Sequence, residues 1–145
     1  MSRAINAAGL EIIKNNEGCV LEAYLCPAGV PTIGWGHTGS TVRVGQRITQ
    51  HQADEILASD LEGFEDAVEA LVPGLNDNQF SALVSLIYNI GKEAFRASTM
   101  RKRALEGDFG AASAEFPKWC HAGVKVLPGL VRRRAEERAL FDAPT

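Results

Sequence analysis

Apolar residues recur at helical spacing through most of the chain. Ala53, Ile56, Leu57, Leu61, Phe64, Val68 and Leu71 form one stripe, and its 3.6-residue period predicts a single long helix. Thr49 with Gln52 supplies a capping box at its start, and Pro73-Gly74 stops it. Asn76 with Gln79 repeats the capping pattern ahead of Phe80, Leu83, Val84 and Ile87, the spacing of a second, buried helix with Phe80, Leu83 and Ile87 in the core. Shorter helices are predicted around Ser98–Glu106 and Phe109–Trp119, and Pro128 suits the first position of a last helix through Phe141. At the other end, Ser2 can cap a first helix that turns Ile5, Ala8 and Ile12 inward. It ends near Glu17, because Gly18 fits the left-handed position after a helix.

Residues 20–48 break that period. Glycines, Pro27, Pro31 and threonines interrupt a shorter, strand-like alternation. Glu22–Cys26 and Val30–Gly34 read as a hairpin turning at Pro27-Ala28-Gly29, with a third short strand near Thr41–Arg43. The expected fold class is α+β, in one domain covering residues 1–145. A small antiparallel β-rich lobe (about 20–48) and a helical lobe (about 49–145 plus the N-terminal helix) would flank a cleft, a common ligand site.

Composition narrows the functions. The 145 residues are 46% hydrophobic and 23% charged, ordinary for a folded protein. The net charge of −3 argues against nucleic acid as the main partner. Basic residues nevertheless gather in the last third, with Arg132, Arg133 and Arg134 adjacent. These read first as the solvated face of a helix, pairing with Glu136 and Glu137 at i,i+4. Cys19, Cys26 and Cys120 show no CxxC spacing and no disulfide-dense pattern and are expected as free thiols, with a Cys19–Cys26 bridge as the alternative, and Cys120-His121 with His51 makes a poor metal site. No apolar run reaches membrane-spanning length, and no charged-then-apolar leader opens the chain. Stable membrane insertion is therefore not expected.

The candidate chemistry begins at Glu17. A glutamate in the last turn of a helix faces the negative end of the macrodipole, which disfavours its charged form and suits a general acid. Cys26 and Thr32 are symmetric about Gly29 and are expected to face each other across the hairpin. A carboxylic acid, a thiol and a hydroxyl around one volume suit inverting glycoside hydrolysis, in which a second group activates water. Gly34-Trp35-Gly36-His37-Thr38-Gly39 spells G-x-G-x-x-G, but no helix opens there, so dinucleotide binding is rejected.

Glu17, eight residues, Cys26, five residues and Thr32 follow a Glu-x8-Asp/Cys-x5-Thr signature. Around it stand Pro31-Thr32-Ile33-Gly34-Trp35-Gly36-His37-Thr38, Leu86-Ile87-Tyr88-Asn89-Ile90-Gly91, Trp119 and Gly129-Leu130-Val131-Arg132-Arg133-Arg134. In this order and spacing the chain resembles the phage-type lysozymes of the T4-lysozyme-like family, glycoside hydrolase family 24, over roughly residues 8–141. The resemblance implies a lysozyme-like fold and cleavage of the β-1,4 bond between N-acetylmuramic acid and N-acetylglucosamine in bacterial peptidoglycan, with no cofactor or metal. It implies Glu17 as the acid, Cys26 at a position often occupied by aspartate, and Thr32 as the water holder. Trp35, Gly36, His37 and Asn89 are expected to contact substrate, although His37 reads equally as a structural histidine. Arg133, with Arg132 beside it, would orient the acid. A monomer is expected, held in the host cytoplasm until a membrane lesion admits it to the periplasmic wall. Two rival readings remain. One is a wall peptidase or amidase with Cys26 as nucleophile and His37 as base. The other is a glycan-binding or phage structural module that is not catalytic.

Overall fold

Local capping decides where the helices begin. Asn6 opens α1 (Ala7–Glu17), its side-chain oxygen accepting from the Gly9 N–H at 2.9 Å. Ile5 therefore precedes the helix, and the cap expected at Ser2 lies outside the residues that the computed structural model describes, which run from Arg3 to Thr145. Those residues divide into two units, Lys14–Gly63 and Phe64–Thr145 with the chain up to Ile13. The division falls inside α1 and α2 (Gln50–Leu71). The architecture is α+β, mostly helical with small antiparallel strand pairs.

In the unit Lys14–Gly63, β1 (Val20–Leu25) pairs with β2 (Pro31–Gly34). The register sets Tyr24 opposite Thr32 and Leu25 opposite Pro31, and the Cys26 N–H donates to the Val30 carbonyl at 3.0 Å. Cys26 thus faces Val30, not Thr32 as expected. The reason is the turn: Pro27-Ala28-Gly29 is a three-residue loop whose centre is Ala28, with Gly29 taking the left-handed position at φ 77°. The strand expected near Thr41–Arg43 is not formed. That segment turns, and the chain pairs with β1 further on, Ala23 N–H donating to Gln46 O at 2.8 Å and Ile48 N–H to Leu21 O at 2.9 Å. Val42 instead fills a small core with Ala23, Ile33 and Ile48. The capping box at α2 is formed as expected, Thr49 Oγ1 accepting from the Gln52 N–H and Gln52 Oε1 from the Thr49 N–H.

In the other unit, Asn76 and Gln79 cap α3 (Asp77–Ile90), and Phe80, Leu83 and Ile87 are buried, as the periodicity predicted. A short helix the periodicity did not show, α4 (Lys92–Arg96), precedes α5 (Thr99–Leu105), capped by Ser98. The helix expected over Phe109–Trp119 is broken into α6 (Phe109–Ser113) and a 3-10 turn at Phe116–Lys118. Pro117 has no N–H to continue the α-helical ladder. A hairpin of β3 (His121–Ala122) and β4 (Lys125–Val126) then leads to α7 (Pro128–Asp142), which Pro128 opens as expected. Phe141 packs edge-on against Phe116 at 5.5 Å. One expectation fails on α7. Arg133, Arg134 and Glu137 are not a solvated face but are all buried, because their charges satisfy one another. No described helix is long and apolar enough to cross a membrane.

Candidate active site

Glu17 is the last residue of α1, half-buried, and Gly18 turns the chain away from it at φ 70°. After β2 the backbone doubles back: Ile33 and His37 exchange both backbone hydrogen bonds at 2.9 Å, leaving Trp35-Gly36 at the tip. Gly36 stands at φ 86°, and a Cβ there would lie 3.1 Å from Glu17 Oε1. Only glycine lets the backbone take this conformation and come this close to the carboxylate. Gly36, expected from the sequence to contact substrate, thus stands beside the glutamate expected to be the acid.

Cys26 and Thr32 are diagonal neighbours on one face of the hairpin rather than directly opposed. The half-buried Cys26 sulfur is approached by the backbone N–H groups of Val30, Ala28 and Gly29 and by the Thr32 hydroxyl. The Val30 N–H contributes most, and together these donors hold the thiol below its ordinary range against an opposing desolvation cost. Thr32 is buried, with Oγ1 2.9 Å from the Val30 carbonyl. Its single hydroxyl proton can serve that carbonyl or the Cys26 sulfur.

Two carboxylates that sequence reasoning missed hold the Trp35–His37 turn. Asp54 accepts from the Trp35 indole N–H at 2.8 Å and from Gln50 at 3.1 Å, and Lys14 lies 5.2 Å from the Trp35 ring centroid. The indole donor, aided by Gln50 and Lys14, lowers the Asp54 carboxyl against desolvation. Asp60 Oδ2 stands 2.6 Å from His37 Nδ1. The only sequence signal for this pair is position, next to the stripe residues Ala53 and Leu61 on α2.

The remaining predicted residues belong to the other unit. Asn89 is exposed in the last turn of α3, at the edge of an open pocket. Arg133 is buried, its Nε 3.3 Å from Glu137 Oε2 and its Nη2 donating to the Ser85 carbonyl at 3.2 Å, while Arg132 is exposed. All three cysteines are free thiols, as expected. Among the described residues, no three His, Cys, Asp or Glu side chains gather as metal ligands.

Comparison with known proteins bears directly on this arrangement. The sequence profile of the family described as Phage lysozyme matches residues 14–137. The chain is 44% identical to the endolysin of Salmonella phage P22 over 142 residues, covering 94% of this chain and 97% of that protein. It is 46% identical to the endolysin of Bacillus phage PZA over 147 residues, or 97% of this chain, but spans only 56% of that relative's length. Among solved structures, the muramidase domain of SpmX from Asticcacaulis excentricus superposes with a TM-score of 0.91 at 42% identity, covering 98% of this chain and 99% of that one.

Proposed function

Because the chain belongs to the phage lysozyme family and is a peptidoglycan-degrading glycoside hydrolase, we propose that Glu17 is its proton donor and that Cys26 and Thr32 hold the attacking water. The observation that carries this reading is the packing of the Gly36 backbone on the Glu17 carboxylate. It sets one carboxyl group against a glycine turn with no side chain between them, which supports its placement for proton transfer to a leaving oxygen. The finer assignment is to the T4-lysozyme-like family, glycoside hydrolase family 24, cleaving the β-1,4 bond between N-acetylmuramic acid and N-acetylglucosamine. Glu17 protonates the glycosidic oxygen as its bond to the anomeric carbon breaks, while a water held by Thr32 and Cys26 bonds to that carbon and releases its remaining extra proton to solvent. Trp35, Gly36, His37 and Asn89 contact the glycan, and Arg133 orients the acid. The protein acts as a monomer without nucleic acid, waits in the host cytoplasm, and reaches the periplasmic wall through a membrane lesion to lyse the cell.

The test is turbidity loss on chloroform-treated Gram-negative cells, with new reducing ends counted in the products. Glu17→Gln is expected to lower the rate about 10²–10⁴-fold with peptidoglycan binding intact. A Glu17→Gln protein that lyses cells normally would remove Glu17 from the reaction. Cys26→Asp is expected to keep activity, because the backbone donors at Cys26 accept a carboxylate equally well. Loss of activity together with new free amines in the wild-type products would instead favour a thiol nucleophile.

A further inference from the structure

Arg134 is buried at 1% exposure, and its guanidinium is gripped by Glu137, at 0%. Nε lies 2.7 Å from Glu137 Oε1, and Nη2 donates to Oε2 at 3.3 Å. The same carboxylate accepts from Ser85 Oγ at 2.6 Å and from Arg133 Nε at 3.3 Å. Nη1 of Arg134 reaches outward. It donates to Asn89 Oδ1 at 2.9 Å and to the Trp119 carbonyl at 3.3 Å. Asn89 and Trp119 both line an open pocket, together with Ile90, Lys118, His121 and Leu130.

A guanidinium carries only donors, so the atom Asn89 turns toward it has to be its carbonyl oxygen. The amide nitrogen is thereby turned the other way. The remaining polar side chains of the pocket are the Lys118 ammonium, ion-paired with Glu115, and the His121 imidazole. Trp119 and Leu130 add apolar wall. We infer that Arg134, clamped by Glu137, is a positioning residue that fixes the Asn89 amide with its carbonyl inward, so that the pocket presents N–H donors to an acceptor oxygen of the peptidoglycan. Two parts of that polymer carry such an oxygen beside apolar carbons: the N-acetyl groups of the glycan and the carbonyls and carboxylates of the stem peptide. The inference rests on the hydrolase reading above and adds which substrate chemistry this pocket selects.

The experiment is steady-state kinetics on solubilised peptidoglycan, with Tm and far-UV circular dichroism to certify folding. Asn89→Asp keeps the contact with Arg134 but replaces the outward donor with an acceptor. It is expected to raise KM about five- to tenfold, the worth of one hydrogen bond, with kcat within about twofold. Arg134→Met with Glu137→Gln removes both charges of that pair, keeps an amide oxygen to accept from Ser85 and Arg133, and frees the Asn89 amide to rotate. The same KM rise is expected, and adding Asn89→Asp should raise it no further, because both routes remove one interaction. A purely structural role would lower Tm without this split or this coupling. Repeating the Asn89→Asp measurement on glycan stripped of stem peptide assigns the source. A persisting penalty points to the N-acetyl group, and a vanishing one to the peptide. An unchanged KM in Asn89→Asp would overturn the inference, as would effects that multiply in the combined variant. Should the Arg134→Met, Glu137→Gln protein not fold, the side-chain amide signals of Asn89 in the wild-type protein, titrated with peptidoglycan fragments, decide instead. They shift if the inference holds and stay fixed if it fails. Wild-type release of new reducing ends with KM unchanged in Asn89→Asp defeats this inference alone; no release defeats the hydrolase reading.

Discussion

At the hairpin turn, the Cys26 sulfur lies near the surface among backbone N–H groups, whereas on α7 the Glu137 carboxylate lies in the interior among side-chain cations. The turn receives its donors from a loop that must bend anyway, so no long side chain is immobilised to supply them. Burial on α7 pushes the Glu137 carboxyl up and the Arg134 guanidinium down, each toward its neutral form; Arg134, Arg133 and the Ser85 hydroxyl oppose this at Glu137, and Glu137 opposes it at Arg134. The first arrangement is expected to tolerate loss of one partner and the second is not. The thiol proposed to hold water rests on several separate donors, whereas two buried arginines share one carboxylate.

The largest expected effect breaks the interior arrangement. Glu137→Ala leaves two buried guanidiniums without their carboxylate and should cost about 3–5 kcal/mol, read from urea unfolding. An intact unfolding midpoint would mean that the charges are not held as described. Next is Gly36→Ala, which forces a side chain into the left-handed region and against Glu17. It should cost about 1–2 kcal/mol while reducing lysis more than that loss of stability accounts for.

The third prediction sharpens the view of the turn. Because the folded state lowers the Cys26 thiol, its stabilisation is present above the ordinary thiol range and is lost as pH falls through the folded value. Alkylation by iodoacetamide should accordingly turn on at a lower pH than for a cysteine in an unstructured peptide. Thr32→Val should move that midpoint up only slightly, since the Val30 backbone contributes most. A midpoint returning fully to the peptide value would transfer the effect to the side chain. The smallest change is expected at Asp54, whose carboxyl is also lowered. Its hold on Trp35 is present above the usual carboxylate range and is lost as pH falls through the folded value, so tryptophan emission should titrate below the ordinary aspartate range. Asp54→Asn should abolish that step.

What could be read without coordinates follows the range of the interactions. The caps at Thr49, Asn76 and Pro128 involve residues three apart or fewer, and each was legible. The pairing of Cys26 was displaced because Gly29, the residue that stands out, occupies the end of its loop and not the centre. Asp54 and Asp60 went unnoticed because their partners lie 19 and 23 residues away. Most instructive is the triplet of arginines. Helical charge spacing suggested water on that face, and nothing local reveals that Ser85, 52 residues from Glu137, helps close the site around it.

The ring of main-chain donors at the hairpin also bears on how this protein can change through time. Those donors favour negative charge whichever side chain carries it, so an aspartate at position 26 is expected to meet the same donors. The exchange would still alter how the molecule lives in its surroundings. Sulfur here is half-exposed and held toward its anionic form, the state most readily attacked by peroxide. Cysteine at this position therefore brings vulnerability to oxidants that an aspartate in its place would not.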